Sequence, residues 1–120
     1  MKILVVDDSK AMRMIVARTL RQAGFDGLEL EEASNGAEAL QRIRGAAPDL
    51  VLCDWNMPEM SGIELLGALS SEGSPVKFGF VTSEGTEEMR TRAREAGALF
   101  LIAKPFTVEA FQDALKTVVL

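Results

Sequence analysis

The chain contains no histidine and a single cysteine, Cys53. Those two shortages remove a structural zinc site, which needs four Cys or His ligands, and any disulfide framework. Cys53 sits inside an apolar run and reads as a small buried hydrophobe, consistent with a reducing, cytoplasmic compartment. No apolar run approaches the roughly 20 residues of a membrane span. Met1-Lys2 leads directly into a short apolar stretch and then Asp7-Asp8, so no secretory h-region fits there. Clustered basic residues are missing as well. With a net charge of −5, the arginines (Arg13, Arg18, Arg21, Arg42, Arg44, Arg90, Arg92 and Arg94) fall on the polar sides of helical stretches. They read as solvated faces, not as a nucleic-acid footprint. There is no low-complexity tract, linker or internal repeat. No Gly-x-Gly-x-x-Gly or Walker-type loop follows the first apolar run, which argues against a flavin- or nucleotide-binding module.

What is present is a regular alternation. The 120 residues, 48% apolar and 26% charged, suit one globular domain spanning 1–120. Gly24, Gly45, Gly73 and Gly97 each follow a stretch with helical spacing, the place of a glycine just past a helix end. The first such stretch carries Met12, Ile15, Val16, Leu20 and Ala23 on one face. Asn35-Gly36-Ala37-Glu38 and Ser61-Gly62-Ile63-Glu64 read as capping boxes. Thr107 is placed to cap a last helix with Val108, Phe111, Leu115 and Val118 inward. Between these helices lie β-prone runs at 3–6, 50–53, 76–81 and 99–103, apolar on both faces apart from Lys77, as parallel strands covered above and below are. Residues 28–33 mix polar and apolar side chains and read as an edge strand. The sum is α/β: (βα)5, a doubly wound five-stranded parallel sheet.

In such sheets ligands bind beyond the carboxyl ends of the strands. Asp49 precedes its strand and belongs to the far end. Asp54 follows the same strand, on the order of 13 Å away at about 3.3 Å per residue. Asp7 and Asp8 follow the first strand. If strands one and three are neighbours, Asp7, Asp8 and Asp54 share one crevice. Two unit charges about 4 Å apart repel by roughly 4 kcal/mol at a protein surface, so three carboxylates call for a cation. An oxygen-only set with room for waters suits Mg2+ better than zinc. Strand four ends in Val81-Thr82-Ser83 and strand five in Ala103-Lys104-Pro105, adding hydroxyls and an ammonium at the same edge. Either aspartate feature alone could be a helix cap or a turn. Polar groups suited to phosphate at four strand ends are harder to assign to capping.

Asp7-Asp8, Asp54, Thr82 and Lys104-Pro105, in this order along the full chain, resemble the signature set of response-regulator receiver domains. Asp54-Trp55-Asn56-Met57-Pro58 and Lys104-Pro105-Phe106-Thr107 look like the small stand-alone receivers of bacterial chemotaxis. The resemblance implies a flavodoxin-like fold with strand order 2-1-3-4-5. It also implies that Asp54 accepts a phosphoryl group from a histidine kinase. Mg2+ would be held by Asp8, Asp54 and the backbone carbonyl of Asn56, with Asp7 acting through water. Lys104 would contact the phosphoryl group, and Thr82 would act as the switch. The resemblance also implies a cis bond before Pro105. Asn56 and Glu84 would influence phosphoryl lifetime and phosphatase engagement, and Trp55 is expected partly exposed beside the site. One departure stands out: the family usually has Tyr, Phe or His three residues before the lysine, where this chain has Leu101. That leaves loop motion to couple Thr82 to strand five. The chain stops after helix five, so the expected output is a protein contact, with no nucleic-acid or membrane partner and a monomeric state. The protein would not be an enzyme in the turnover sense; it assists its own phosphorylation and dephosphorylation. The competing reading is a Mg2+-dependent phosphohydrolase with an aspartate nucleophile. Such enzymes of the haloacid-dehalogenase type carry Asp-x-Asp, whereas Asp7-Asp8 are adjacent here and no length remains for a substrate cap.

Overall fold

Four consecutive apolar residues, Leu50–Cys53, form the middle strand of the sheet, and all four are buried. A computed structural model describes residues 1–25 and 27–119. In chain order the elements are β1 (Lys2–Val6), α1 (Lys10–Gln22), β2 (Glu29–Ala33), α2 (Gly36–Gly45) and β3 (Leu50–Cys53). There follow α3 (Gly62–Ser71), β4 (Lys77–Thr82), α4 (Glu87–Ala96), β5 (Phe100–Ala103) and α5 (Val108–Val119). The five strands are parallel in the order β2-β1-β3-β4-β5. The mixed strand β2 is an edge, as its composition implies, and β5 is the other.

Period-2 alternation sends each strand's side chains to two cores. Leu4, Val6, Val51, Cys53, Phe78 and Phe80 pack with Leu40, Ile43, Leu65, Leu69 and Ala93 on one face of the sheet. Ile3, Val5, Leu50, Leu52, Val81 and Ile102 pack with Val16, Leu20, Phe111 and Leu115 on the other. Each fully buried side chain of this size contributes about 1.5–3 kcal/mol relative to exposure. The inward stripe of α5 is as the spacing implies. That of α1 is narrower: Val16, Leu20 and Ala23 are buried, but Ile15 lies at the rim of the stripe and is 44% exposed.

The helix starts follow local chemistry. Ser9, Asn35, Ser61, Thr86 and Thr107 each accept a hydrogen bond from the backbone N–H three residues on, a cap worth about 1 kcal/mol. Ser61 and Glu64 form a complete capping box. Asn35 and Glu38 do not: the Glu38 carboxylate accepts from the Ser34 N–H and hydroxyl instead. Gly24, Gly73 and Gly97 have positive φ at helix ends. Gly45 differs, being the last residue of α2, with the helix ending on extended Ala46. β4 runs one residue later than the β-prone run 76–81 and ends on Thr82.

Glu59 is in the left-handed region at φ 68°, in the turn between β3 and α3. An L-residue there costs about 1 kcal/mol, and asparagine tolerates the conformation better. Glu59→Asn is expected to raise unfolding free energy by about 0.5–1 kcal/mol, measured by urea denaturation.

Candidate functional site

The register fixes where the aspartates meet. Val6 pairs with Cys53, so Asp7 and Asp54 are each the next residue beyond a paired position on adjacent strands. The Asp54 N–H donates to the Val6 carbonyl at 2.9 Å, and the Asp7 N–H to the Ala33 carbonyl at 3.2 Å. Both side chains emerge at the carboxyl edge. Asp7, Asp8 and Asp54 each offer an oxygen within 4.8 Å of the other two. Asp7 and Asp54 are buried and Asp8 is exposed, a cluster with one side open to solvent.

Lys104, one residue past β5, reaches back into this edge. Its Nζ is 3.1 Å from Asp7 Oδ2 and 3.6 Å from Asp54 Oδ2. The Lys104–Pro105 peptide bond is cis. Burial pushes the Asp54 carboxyl above its ordinary pKa. Lys104 opposes that shift, the Asp7 charge adds to it, and the backbone N–H groups of Trp55 and Asn56 favour the ionised form. Cys53 beneath it is fully buried, and burial pushes its thiol pKa well up; the thiol donates to the Asp54 carbonyl at 3.1 Å. It is an inert core residue, as its place in the apolar run implies.

Charge accounting tests the fit to a cation. Three ionised carboxylates against one ammonium leave two negative charges uncompensated. Each carboxylate pair about 5 Å apart repels by about 3 kcal/mol at an effective dielectric of 20. The donors are all oxygen, which fits a hard divalent ion such as Mg2+. Asp7 is already committed, its Oδ1 to the Ser9 N–H at 2.9 Å and its Oδ2 to Lys104, which leaves Asp8 and Asp54 as the freer donors.

Thr82 is fully buried at the end of β4. Its hydroxyl accepts from the Glu84 N–H of the following loop at 3.4 Å. The structure thus gathers Asp7, Asp8, Asp54 and Lys104, and stands Thr82 on the neighbouring strand end. Trp55 differs from expectation: it is buried. Its ring lies against Phe80, centroids 4.7 Å apart, with the Arg92 guanidinium 5.5 Å from its centroid. Gly62 explains the tight turn above it. A Cβ there would stand 2.3 Å from the Asp54 carbonyl oxygen and 2.8 Å from the Phe80 ring, so only glycine lets α3 start against the phosphoacceptor candidate's backbone.

Two of the arginines read as solvated surface, Arg13 and Arg90, fold onto the protein, while Arg92 stays exposed with its guanidinium over the Trp55 ring. Arg13 donates to the Asp7 carbonyl at 2.6 Å and to Glu32 at 2.8 Å. Arg90 donates to two backbone carbonyls, Gly85 and Leu101. Nothing in helical spacing signals these contacts, because they depend on how far a long side chain reaches across to another element. Asp49 is at the far end as expected, accepting from the Lys2 N–H at 2.7 Å. A groove of about 540 Å³ at that end is lined by Met1, Pro48, Asp49, Pro75, Lys77 and Val118. It gathers no carboxylate cluster and lies a full strand length from the acidic edge.

Fold and site together define a flavodoxin-like doubly wound domain with a lysine-facing acidic crevice at the carboxyl edge of its sheet. Residues 3–116 match the family model described as response regulator receiver domain, and the chain belongs to that family. It is 37% identical to chemotaxis protein CheY1 of Helicobacter pylori over 121 residues, covering 98% of this chain and 96% of that protein. It is 39% identical to chemotaxis protein CheY-3 of Vibrio cholerae over 119 residues, 96% and 88% of the two. Among solved structures, Vibrio cholerae chemotaxis protein CheY4 superposes with a TM-score of 0.84 at 33% identity, over 98% of each chain. The chain is therefore a CheY-like receiver domain of a two-component system. Among the described residues, no helix is long and apolar enough to cross a membrane.

Proposed function

We propose that the chain acts as a monomeric cytoplasmic response regulator. A partner histidine kinase phosphorylates it on Asp54, and it signals through a phosphorylation-dependent protein contact. The observation that carries this is the meeting of Asp54, Asp7 and Asp8 with the Lys104 ammonium at one strand edge. Chemotaxis or motility is the setting its named relatives suggest.

An Asp54 carboxylate oxygen attacks phosphorus as the P–N bond to the donor imidazole breaks; the imidazole nitrogen keeps the electron pair and takes up a proton. Asp54 must be ionised to attack, and Lys104 and the turn N–H groups favour that form. Lys104 then stands ready to donate to a phosphoryl oxygen in place of the carboxylates. Asp8, Asp54 and the Asn56 backbone carbonyl would hold Mg2+, with Asp7 linked through water. When bound, the ion supplies the charge neutralisation that lets two anions meet in line. Thr82 exchanges its contact to the Glu84 N–H for a phosphoryl oxygen, drawing the β4–α4 loop inward. Asn56 and Glu84 flank the product and set its lifetime and its access to a phosphatase. The domain is not a turnover enzyme, although it assists its own phosphorylation and dephosphorylation.

Intact mass after incubation with acetyl phosphate tests this. One phosphoryl group is expected per chain with Mg2+ and none without; steady turnover of a phosphomonoester would favour a phosphohydrolase. The same ion should stabilise the fold, by about 2.7 kcal/mol at a hundred times its dissociation constant. Calorimetry should show that gain in the unmodified protein and its loss in Asp8→Asn.

A further inference from the structure

Helix α4 has a single fully buried residue, Ala93, so apolar packing holds it to the sheet only lightly. Arg90 adds a polar attachment. Its Nε donates to the Gly85 carbonyl at 3.3 Å and its Nη1 to the Leu101 carbonyl at 3.1 Å. Gly85 is in the loop that follows Thr82, and Leu101 is in the edge strand. The Lys104 N–H donates to Thr82 O where Thr82 pairs with Ala103. In a parallel ladder this directs the even-numbered residues of β5 toward β4 and leaves the Leu101 carbonyl on the open edge. One guanidinium thus ties a loop carbonyl to an otherwise unpaired strand carbonyl. The loop is also close-set: a Cβ on Gly85 would stand 3.1 Å from the Ala103 Cβ and 3.3 Å from Arg90 Nη2.

We propose that Arg90 is a latch that holds the β4–α4 loop in its resting position, so that loop movement toward a modified Asp54 must break at least one of its two bonds. The inference rests on the phosphoacceptor reading of Asp54 and adds to it a positioning residue that opposes activation. Leu101 presents only an aliphatic side chain and an edge carbonyl whose partner is Arg90. The contact between the loop and β5 is therefore made by Arg90, and its loss makes the loop easier to move. A charged donor on two neutral carbonyls has the geometry for such restraint.

Two measurements on Arg90→Met, which keeps the length of the side chain and removes its donors, decide the matter. Without any phosphoryl mimic, amide exchange in residues 83–86 should quicken roughly three- to tenfold, the effect of losing one or two half-exposed hydrogen bonds. With Mg2+ and beryllofluoride, apparent affinity should tighten by a similar roughly three- to tenfold factor, because less restraint opposes the activated arrangement. The fluorescence of Trp55 provides the readout, since its ring lies beside the site and under Arg92 of the same helix. Arg90→Lys, able to reach one carbonyl but not both, should fall between, and Arg90→Gln replaces Arg90→Met if the latter folds poorly. Unchanged exchange together with unchanged or weaker beryllofluoride affinity in Arg90→Met would overturn the latch alone. If the unmodified protein binds no beryllofluoride, the phosphoacceptor reading falls and the regulatory inference falls with it.

Discussion

Asp54→Asn takes up no phosphoryl group from acetyl phosphate, while its thermal midpoint without metal equals or exceeds that of the unmodified protein. The first half follows from nucleophilicity: an amide oxygen in the same place has no anionic lone pair to offer phosphorus. Intact mass reads it directly, and a phosphoryl gain persisting in the variant would move the acceptor to another residue. The second half follows from charge. Burial raises the Asp54 pKa in the fold, and the Asp7 charge pushes it the same way against Lys104. A carboxyl whose pKa is higher folded than unfolded favours the native state while protonated. That contribution is full below the unfolded pKa and is lost as pH rises through the folded one. At neutral pH the ionised Asp54 therefore weighs against the fold, and the neutral amide removes that burden at almost constant volume. A midpoint lower in Asp54→Asn than in the unmodified protein at pH 7 would mean that the ion pair with Lys104 outweighs burial.

Much of this site could be read in the sequence because each acidic or basic group sits one or two residues past an apolar run. Strand ends are where period-2 patterning stops, so Asp7, Asp54, Thr82 and Lys104 could be placed at one edge without coordinates. The far-end position of Asp49 followed from the same logic. Gly24, Gly73 and Gly97 were legible because a positive φ at a helix end selects glycine. Gly45 has the same look in sequence but stays inside its helix, since nothing in the residue type fixes the sign of φ. The burial of Trp55 is not legible in the sequence because it depends on a partner far along the chain: Phe80 supplies the ring it lies on, and Arg92 covers it. The capping box at Asn35 failed because Ser34 offered Glu38 a competing donor pair. The contacts of Arg13 and Arg90 are hidden in the sequence for a related reason. Their helices predict an outward face, but the guanidinium extends beyond that face to backbone carbonyls on other elements.

The link between the core and the acidic edge gives the largest stability effect. Phe80 is fully buried in β4, beside Cys53 on one neighbouring strand and Leu101 on the other. Its ring contacts Trp55 and an edge of Phe78, with centroids at 4.7 and 5.1 Å, and it lies where Gly62 opens α3. Phe80→Ala should cost about 3–5 kcal/mol, about a fifth or more of the roughly 5–15 kcal/mol that holds a domain of this size together. Phe111, equally buried on the opposite face and edge-on to Phe106 at 4.8 Å, should cost about the same when cut to alanine. The two variants should part company at the site. A void left by Phe80 lies directly under Trp55 and the turn that carries the Asp54 carbonyl, whereas one left by Phe111 lies across the sheet among α1 and α5. Urea unfolding should therefore rank the variants together, while the rate of phosphoryl uptake from acetyl phosphate, measured where both remain folded, falls in Phe80→Ala and holds in Phe111→Ala. Equal rates in the two would mean that the β3–α3 turn keeps its geometry without the aromatic layer beneath it, leaving Gly62 and its close approach to Asp54 as the support.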